Sequence, residues 1–570
     1  MSHSSSHQPL HTPLQRLFRL LQPDRSDLWV VVAYSIAIGL LTLALPVASQ
    51  ALINTVAFGT VLQPLLVLSI LLFAALAAAG TIQVMRHWLV EILQRRIFVR
   101  VAGDVSDRLI RGRSSFFDSA HGPELVNRFL DVAIVQKSVS LLLIDGLTIL
   151  MQTIVGLLLL AIYHPLLLLF DAVLFLMIVF ILFGLGRGAI RTSIAESQAK
   201  YEVLAWLEEL ARHRGTFRST QGRNFGWLRS NALTTTYVEE RTSHFRVELR
   251  QNIGSLALQA FALSALLGVG GYLVTVGQLT LGQLVAGELV VGMVVYGFTK
   301  LNKSLEGFYD LSAAMDELGF LEDLPVEKEL GSYVLEAGSA ASVQVFGVEY
   351  RYENGPSLLH SLNLNVNAGE KVALHGSLGS GKSTLLDLIS SLRTPTKGHL
   401  EIDGHDYREL RLDNLRTRIA LVRRPEIFAG TLLENLTLGA DVDARRIRTV
   451  LEQVGLQAAV SGLSDALQTR LSTGGSPLTR TQALRLAVAR ALLARPAVVL
   501  VDGLLDEMEG LESNDPMVNT LLAPDAPWTL ILTSDRPEIL RRCGRIYRLS
   551  SGSLYESGHS QPGNNNQEHA

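Results

Sequence analysis

Residues 376 to 384 read Gly376-Ser377-Leu378-Gly379-Ser380-Gly381-Lys382-Ser383-Thr384. This is the pattern GxxxxGK[ST], and it lies between a short apolar run, Lys371–His375, and an amphipathic one, Leu385–Leu392. Glycines allow backbone N–H groups to close around phosphates, and a helix that starts here adds positive potential. We expect Lys382 to contact the β- and γ-phosphates and Ser383 to ligate Mg²⁺. The sequence therefore predicts a phosphate loop in an α/β domain.

Two more positions extend this predicted nucleotide site. The apolar run Ala497–Val501 ends in Asp502, and an acid at the end of a buried strand can hold Mg²⁺ through water. Tyr352 follows an alternating stretch and is placed to stack on adenine, although a half-buried strand aromatic has the same pattern. The expected nucleotide contacts are Tyr352 and residues 376 to 384, and the expected metal ligands are Ser383 and Asp502.

The composition points to a membrane protein. A length of 570 residues suits two or three domains, and 48% hydrophobic against 18% charged residues is too apolar for a purely soluble protein. The net charge of −3, without any block of Lys or Arg, gives no support to a nucleic-acid partner. The one cysteine, Cys543, excludes an intramolecular disulfide, and we expect an inert thiol.

Six apolar stretches precede residue 300, and each is long enough to cross a bilayer, which takes about 20 helical residues. They are Trp29–Phe58, Val61–Val84, Ser138–Tyr163, Leu166–Leu185, Ile253–Val276 and Leu279–Phe298. Cations flank only their inner side, at Arg16, Arg19, Arg25, Arg86, Arg95, Arg96, Arg100, Arg187, Arg191, Lys300 and Lys303. This asymmetry predicts six crossings of the cell membrane (the inner membrane if the source is bacterial), with both termini cytoplasmic.

The two chain ends, residues 1–13 and 557–570, are polar and predicted to be disordered. The alternative for the first is a metal-binding tract, because it contains several His residues. After that tail, Leu14, Leu17, Phe18 and Leu21 fall on one helical face, with Arg16 and Arg19 elsewhere. The spacing predicts an amphipathic helix at the inner leaflet, with a cytosolic core helix as the alternative.

The two inner connections, Arg86–Lys137 and Arg187–Asn252, are long, charged and poor in helix breakers. If each is a pair of helices that continues the flanking spans, a limb of ~25 residues reaches about 35–40 Å beyond the membrane. The turns at the tips are expected near Ser115–Gly122 and Arg212–Gly226.

Three acids, Asp145, Asp171 and Glu288, lie within the spans. A charge in a bilayer is costly unless it faces a cavity or a partner, so a role in a substrate pathway is one interpretation. The other interpretation is that these acids cap helices or meet interfacial water near the ends of the spans.

With both halves considered, the sequence resembles an ABC transporter of the exporter type over nearly the whole chain. Three motifs in the membrane half are similar to those of the bacterial protein- and peptide-secretion branch. The first is Leu45-Pro46 with Gln50 and Asn54. The second is Phe116-Phe117-Asp118 with Gly122, Glu124, Leu125 and Arg128, and the third is Gly277–Ala286. In the second half they are Phe428–Thr431 with Glu434 and Asn435, and Ala487–Leu492. The resemblance implies a multi-domain fold: an all-α six-helix transmembrane domain of the type 1 exporter at 14–335, then an α/β P-loop ATPase domain at 336–556.

Members of this family act as dimers, and two nucleotide domains enclose two ATP molecules. Each ATP lies between the phosphate loop of one subunit and the signature motif of the other. The resemblance therefore implies ATP and Mg²⁺ as cofactors, with a second half-transporter and the lipid bilayer as partners. Tyr352, residues 376–384 and Asp502 match the positions at which the family binds Mg-nucleotide.

The catalytic positions of the family are not retained. The family's Q-loop glutamine corresponds to Arg423, and its signature Leu-Ser-Gly-Gly-Gln corresponds to Leu478-Thr479-Arg480-Thr481-Gln482. Its catalytic glutamate corresponds to Gly503, and its D-loop aspartate to Glu509. Its switch histidine corresponds to Asp535, or to Ser534 with a register shift of one. Gly503 has no carboxylate to orient water, and loss of a general base costs about 10²–10⁴ in rate. We therefore assign no catalytic residue, and hydrolysis without a competent partner is expected to be weak or absent.

These observations leave three functions. The first is the ATP-binding subunit of a homo- or heterodimeric exporter for a peptide, a protein or an amphiphile, which hydrolyses ATP poorly at its own site. The second is a non-transporting membrane subunit that senses ATP or acts as a scaffold, since setting a conformation needs only differential affinity between two states. The third is an ordinary active homodimeric exporter whose motifs have been misaligned.

Overall fold

The computed structural model describes residues 12–57, 62–118, 122–327, 331–336, 339–352, 355–508 and 514–557. The expected tails lie outside these ranges, except that Thr12 caps and Pro13 begins the first helix, and that Ser557 ends the last strand. The chain divides into two compact units, Met1–Gly112 with Phe116–Val326 and Arg113–Ser115 with Glu327–Ala570.

The second unit begins earlier than the boundary expected after residue 335. Leu335 is buried in the core of the second unit, and its N–H donates to Asn414 Oδ1 over 2.8 Å. Tyr333 also forms a bridge with Leu410. These contacts place the segment 331–336 with the second unit.

The first unit is built from helices. They are α1 Pro13–Leu21, α2 Arg25–Thr42, α3 Ala44–Ala57, α4 Leu62–Arg111, α5 Ser114–Phe117, α6 Gly122–Asn127, α7 Asp131–Leu141, α8 Leu147–Tyr163, α9 Pro165–Val179, α10 Ala189–Arg212, α11 Thr220–Thr275 and α12 Leu281–Glu322, of which α5 lies at the division between the units. Two short π-helical segments, Leu142–Gly146 and Phe180–Leu185, follow α7 and α9.

Six helical segments in the described ranges are long and apolar enough to cross a membrane, which confirms the predicted number of spans. The first segment is interrupted at Leu43, between α2 and α3. Pro46 explains the break, because it has no N–H to donate to the carbonyl of Thr42 and its ring clashes with the preceding turn. Val47 resumes the helical pattern by donating to Leu43 O over 3.1 Å.

The long inner limbs are also present. α4 continues past its apolar part to Arg111, α10 ends at Arg212, and α11 runs for 56 residues, about 84 Å at 1.5 Å per residue. The second tip lies at residues 213–219, within the predicted range. The first tip includes residues 119–121, which lie outside the described ranges, but α4 ends just before it as expected.

The motif Gly277–Ala286 builds the turn between α11 and α12. Gly277 has φ +74°, and Gln278 N donates to Leu273 O over 2.9 Å, the closure that ends many helices at a left-handed glycine. Thr280 then caps α12, because its hydroxyl accepts from Gln283 N and the Gln283 side chain accepts from Thr280 N. The local sequence thus determines both where α11 ends and where α12 begins.

α1 buries a charged side chain, which the leucine spacing alone did not predict. Arg16 and Leu20 are buried, whereas Phe18 is 71% exposed and Leu14 is exposed as well. Arg16 Nη2 donates to Asp323 Oδ2 over 2.5 Å, and any side chain at Gly319 would overlap its guanidinium. Arg16 thus lies off the leucine face, as the spacing predicted, and it is buried because Asp323, an acid distant in the chain, pairs with it. The contact of the leucine face with the inner leaflet stays a prediction.

This buried ion pair gives a first prediction. Arg16→Ala leaves the carboxylate of Asp323 with 9% exposure and without this partner, so we expect the free energy of unfolding to fall by about 3–5 kcal/mol. Arg95→Ala is the matched control, because Arg95 is 71% exposed in its pair with Glu91 and such pairs contribute less than about 1 kcal/mol. Thermal unfolding in detergent measures both, and equal shifts would contradict the assignment.

The three acids within the spans have different surroundings. Asp171 on α9 is 5% exposed, and neither carboxylate oxygen has a hydrogen-bond partner among the described residues. Glu288 on α12 is half-buried, and Asp145 is exposed in the π-helical segment after α7. Asp171 is thus the acid whose position costs most, which makes a functional role the default interpretation there.

The second unit is an α/β domain. Its strands are β1 Val343–Arg351, β2 Ser357–Val366, β3 Lys371–His375, β4 Lys397–Ile402, β5 His405–Asp406, β6 Ile419–Val422, β7 Gly430–Thr431, β8 Arg470–Leu471, β9 Val498–Asp502, β10 Thr529–Thr533, β11 Arg545–Ser550 and β12 Ser553–Ser557. Its helices are α13 Lys382–Ile389, α14 Leu412–Arg418, α15 Leu432–Thr437, α16 Ala444–Gln453, α17 Gln457–Ser461, α18 Arg480–Leu493, α19 Pro516–Leu521 and α20 Pro537–Leu540.

The main sheet of this domain has the strand order β12-β11-β3-β10-β9-β6. All neighbours are parallel except β11 and β12. β9 and β10 are fully buried, as expected for parallel strands covered on both faces. The carboxyl ends of β3, β10, β9 and β6 therefore meet at one edge, where open α/β sheets place their ligands.

Cys543 packs against the core of this domain, and burial raises the pKa of its thiol to about 12. The thiolate is the reactive form, so only about one part in ten thousand is reactive at pH 8. We expect a maleimide or iodoacetamide to label the native chain far more slowly than the chain in denaturant, where the thiol has an ordinary pKa. Equal labelling rates would show that the thiol is open to solvent.

Candidate functional site

The phosphate loop joins β3 to α13, as the sequence predicted. Gly376 and Gly381 have φ values of +150° and +104°, which side chains rarely adopt. A Cβ at Gly376 would overlap the carbonyl oxygen of Leu549, and one at Gly381 would lie 2.8 Å from Leu359 Cδ2. The loop needs glycine at both positions for conformation and for space, so this sequence enforces the compact loop.

Two side chains give the loop its binding chemistry. Lys382 Nζ donates back to the carbonyl oxygens of Gly376 and, over 3.1 Å, Ser377, so the ammonium lies across the loop. Ser380 Oγ is buried and has no hydrogen-bond partner within the described ranges. A cation and an unsatisfied hydroxyl in a glycine loop at a helix N-terminus fit a phosphate chain.

Tyr352 lies just after β1 and beside the start of α13. Its hydroxyl is 3.1 Å from Thr384 Oγ1, and its ring meets that of Tyr350 edge-on with centroids 5.2 Å apart. The guanidinium of Arg393 lies 4.9 Å from the ring centroid. Tyr352 remains 36% exposed, so it is fixed in position and still accessible, which suits an aromatic platform for a base.

Asp502 is not free to act as a metal ligand. Arg423, which follows β6, donates through Nε to Asp502 Oδ2, and Thr533 Oγ1 donates to Asp502 Oδ1 over 3.0 Å. Arg423 Nη2 also donates to Asp387 Oδ1 over 2.8 Å and to the carbonyl oxygen of Ser383 over 3.1 Å. The guanidinium thus lies between the two residues expected to hold Mg²⁺.

The charges around Arg423 do not fit a divalent cation. Two unit charges 4 Å apart interact by roughly 4 kcal/mol at an effective dielectric of 20, and a dication beside a guanidinium is repelled by about twice that. Burial disfavours the charged guanidinium, but Asp387 and Asp502 outweigh this effect and raise its pKa. Arg423 is therefore a permanent cation, and the assignment of Ser383 and Asp502 to Mg²⁺ stays a prediction that this geometry opposes.

The backbone at Gly503 adopts a conformation that favours glycine, beyond the absence of a carboxylate. Its φ is +66°, and its N–H donates to Thr533 Oγ1 over 2.7 Å. A Cβ would meet nothing within 4 Å, so space is available, but the backbone conformation costs an ordinary residue about 1–2 kcal/mol. The segment after β9 is folded around a glycine.

The two acids after Gly503 have partners of their own. Asp506 accepts from Ser534 Oγ over 2.6 Å and from Asp535 N over 3.0 Å. Glu507 accepts from Arg480 Nη2 over 2.7 Å. Glu509 lies outside the described residues. Asp506 and Glu507 are therefore engaged in local contacts, and neither is placed as an evident general base.

Asp535, at the predicted switch position, faces the phosphate loop. Gly376 N donates to Asp535 Oδ1 over a long 3.5 Å. This carboxylate therefore lies beside an N–H group that would otherwise face phosphate, and it adds negative charge there. Its neighbour Ser534 is buried and bonded to Asp506, so the alternative register offers no histidine-like donor either.

The altered signature lies at the start of α18. Thr479 is the N-cap, accepting from Gln482 N, while Gln482 Oε1 accepts from Thr479 N over 2.9 Å. Arg480 and Thr481 are therefore the first two helical residues, at the positions where the resemblance predicts glycines. Any phosphate that approached the N–H groups at this helix start would meet two side chains in place of glycines.

Sequence reasoning missed Asp387, which completes the contacts of Arg423. It also left the role of two matched motifs unstated. Asn435 donates to Phe428 O over 2.9 Å, and Arg490 Nε donates to Asn435 O over 2.7 Å. These residues tie the segment after β6 to α18 and do not touch the phosphate loop. Their role is to position the neighbouring elements.

Two family profiles match this chain. Residues 28–209 match the ABC transporter transmembrane region, and residues 359–505 match ABC transporter. The solved structure of a bacterial Atm1-family ABC exporter with ATP bound superposes on this chain with a TM-score of 0.81. The superposition covers 95% of this chain and 95% of the exporter chain. At 19% identity this similarity shows the fold alone.

Curated relatives match part of the chain. The sophorolipid transporter of Starmerella bombicola is 31% identical over 246 residues, which is 42% of this chain and 19% of that protein. The ATP-dependent lipid A-core flippase of Francisella novicida is 30% identical over 252 residues, 44% of this chain and 42% of that protein. The matched stretch thus spans less than half the length of either relative.

Proposed function

Because this chain is an ABC transporter with the architecture of an exporter half-transporter, we propose that it is an ATP-binding subunit that retains nucleotide without cleaving it efficiently. One contrast carries the proposal. The glycine loop, Lys382 and Tyr352 form a site suited to a nucleotide, whereas Gly503 stands where the family has its water-activating carboxylate. Binding and hydrolysis are therefore separated in this cassette.

The subunit acts within a dimer, because a half-transporter of this family supplies one phosphate loop and one signature motif. Arg480 and Thr481 alter the signature that this chain offers to a partner, and Gly503 alters its own site. A homodimer would thus lack any consensus site. We propose a heterodimer with a half-transporter whose own P-loop and glutamate are complete. The partner's site would turn over slowly, because it faces the altered signature of this chain. The ATP bound by this chain would stay uncleaved and hold the two nucleotide domains together.

We propose an amphiphile as the substrate, moved out of the cytoplasm across the cell membrane. The sequence left peptide, protein and amphiphile open, and the names of the relatives support the last, since they are a sophorolipid transporter and a lipid A-core flippase. The cation asymmetry of the spans supports cytoplasmic termini, which places the nucleotide domain on the ATP-containing side.

The proposal is tested by purifying the chain alone and together with any half-transporter that co-purifies with it. We expect the chain alone to bind ATP and release phosphate very slowly, and the pair to show both ATP turnover and movement of a fluorescent lipid in vesicles. Brisk turnover by the chain alone would contradict it. Wild-type chain that binds no nucleotide would contradict it as well.

A second candidate is a non-transporting subunit in which ATP sets a conformation. The pair between Arg480 and Glu507 favours it, because the first residue of the signature helix is engaged within its own chain. The two candidates differ in one result. The second candidate would be favoured by a complex that binds ATP through this chain but moves no lipid. In that case Lys382→Ala would change the conformation of the complex and nothing else.

A further inference from the structure

We propose that the guanidinium of Arg423 takes the place of Mg²⁺ in this cassette, so that the chain binds metal-free ATP. The inference rests on the proposed function, since it concerns how the same site holds its nucleotide. It makes nucleotide retention independent of divalent cations.

The guanidinium of Arg423 lies where the metal was expected. Arg423 donates to Asp502, at the end of β9, and to the carbonyl oxygen of Ser383, in the first turn of α13. These are the two residues at which the sequence predicted the metal. A fixed cation between them supplies positive charge where a metal would supply it.

The charges of the carboxylates around Arg423 are balanced within the protein. Asp387 accepts from Arg423 on Oδ1 and, over 3.0 Å, from Arg393 Nε on Oδ2. The two buried carboxylates, Asp387 and Asp502, are thus matched by two guanidinium groups, and the cluster has no excess negative charge to attract a dication. Carboxylates bind Mg²⁺ when their charge is uncompensated, and here it is compensated.

Arg423 also has N–H donors left for a nucleotide. A guanidinium has five N–H donors, and Asp502, Asp387 and Ser383 engage its Nε and Nη2. No described residue accepts from Nη1. The side chain of Arg423 remains 34% exposed, so this group is available to an acceptor such as a phosphate oxygen. Arginine can therefore serve both the carboxylates and a nucleotide.

The test is isothermal titration calorimetry of the full-length purified chain with ATP, in excess EDTA and in excess MgCl₂. For the wild type we expect dissociation constants that agree within about threefold, because the protein's own cation is present in both. For Arg423→Gln we expect affinity in EDTA to fall about tenfold or more, since a charged hydrogen bond is lost, and added MgCl₂ to restore part of it. The variant would thus regain a metal requirement.

Arg424→Gln is the matched control, because Arg424 is exposed on the same segment and its side chain bonds to neither Asp387 nor Asp502. It should behave as the wild type. Wild-type binding that requires MgCl₂ would overturn the inference and leave the proposed function intact. Wild-type chain that binds ATP in neither buffer would overturn both. The wild-type comparison needs no variant, so a variant that fails to fold does not weaken the test.

Discussion

Lys382→Ala is expected to lower the affinity of the chain for ATP about 100- to 1000-fold. The ammonium lies across the phosphate loop, bonded to the carbonyl oxygens of Gly376 and Ser377, and it is the loop's own cation. Its loss removes charge-assisted contacts to phosphate, each contributing roughly 1.5–3 kcal/mol, and also the contacts that hold the loop closed. Titration calorimetry with ATP measures the effect.

Lys397→Ala is the control for this prediction. Lys397 belongs to the same domain, is 70% exposed and pairs with Glu349 over 3.0 Å on the surface. We expect its affinity for ATP to equal that of the wild type. If Lys382→Ala bound ATP as tightly as Lys397→Ala does, the phosphate loop would not be the nucleotide site, and the account of the cassette would fail at its first step.

The second large effect is in turnover. We expect the purified chain to hydrolyse ATP about 10²–10⁴-fold more slowly than an exporter with the water-activating glutamate, assayed in parallel. Gly503→Glu alone should recover no more than about tenfold. The glutamate would occupy a left-handed backbone position, costing about 1–2 kcal/mol, and the changes at Arg423 and Asp535 would remain. Phosphate release in excess MgCl₂ measures the rate.

Gly503→Asn separates backbone strain from chemistry, because asparagine tolerates the left-handed region and supplies no base. It should fold and remain as slow as the wild type. A gain of 100-fold or more from Gly503→Glu would show that a missing carboxylate is the site's single defect. The contacts of Arg423 and Asp535 would then have little bearing on catalysis.

Much of the fold follows from local sequence. The spans are continuous apolar stretches, the break at Leu43 follows from Pro46, and the turn before α12 follows from Gly277 and Thr280. The phosphate loop was equally readable, because its glycines, Lys382 and Ser383 lie within nine residues. Each of these features depends on neighbours in the chain, which is why a single sequence suffices.

What sequence reasoning missed depends on distant partners. Arg423 meets Asp502 because β6 pairs with β9, an adjacency that no local pattern encodes. Arg16 is buried because Asp323 lies at the end of α12, although the spacing of leucines placed it on the polar side. The left-handed conformation of Gly503 was also invisible, since glycine adopts either sign of φ.

Doubly labelled ATP tests most directly whether this cassette binds ATP and leaves it intact. The purified chain is loaded with ATP labelled in the adenine and in the γ-phosphate, free nucleotide is removed, and both labels are followed over time. We predict that the two labels leave together, at the rate of ATP dissociation. Loss of the γ-label while the adenine label stays bound would show cleavage at this site and contradict the account.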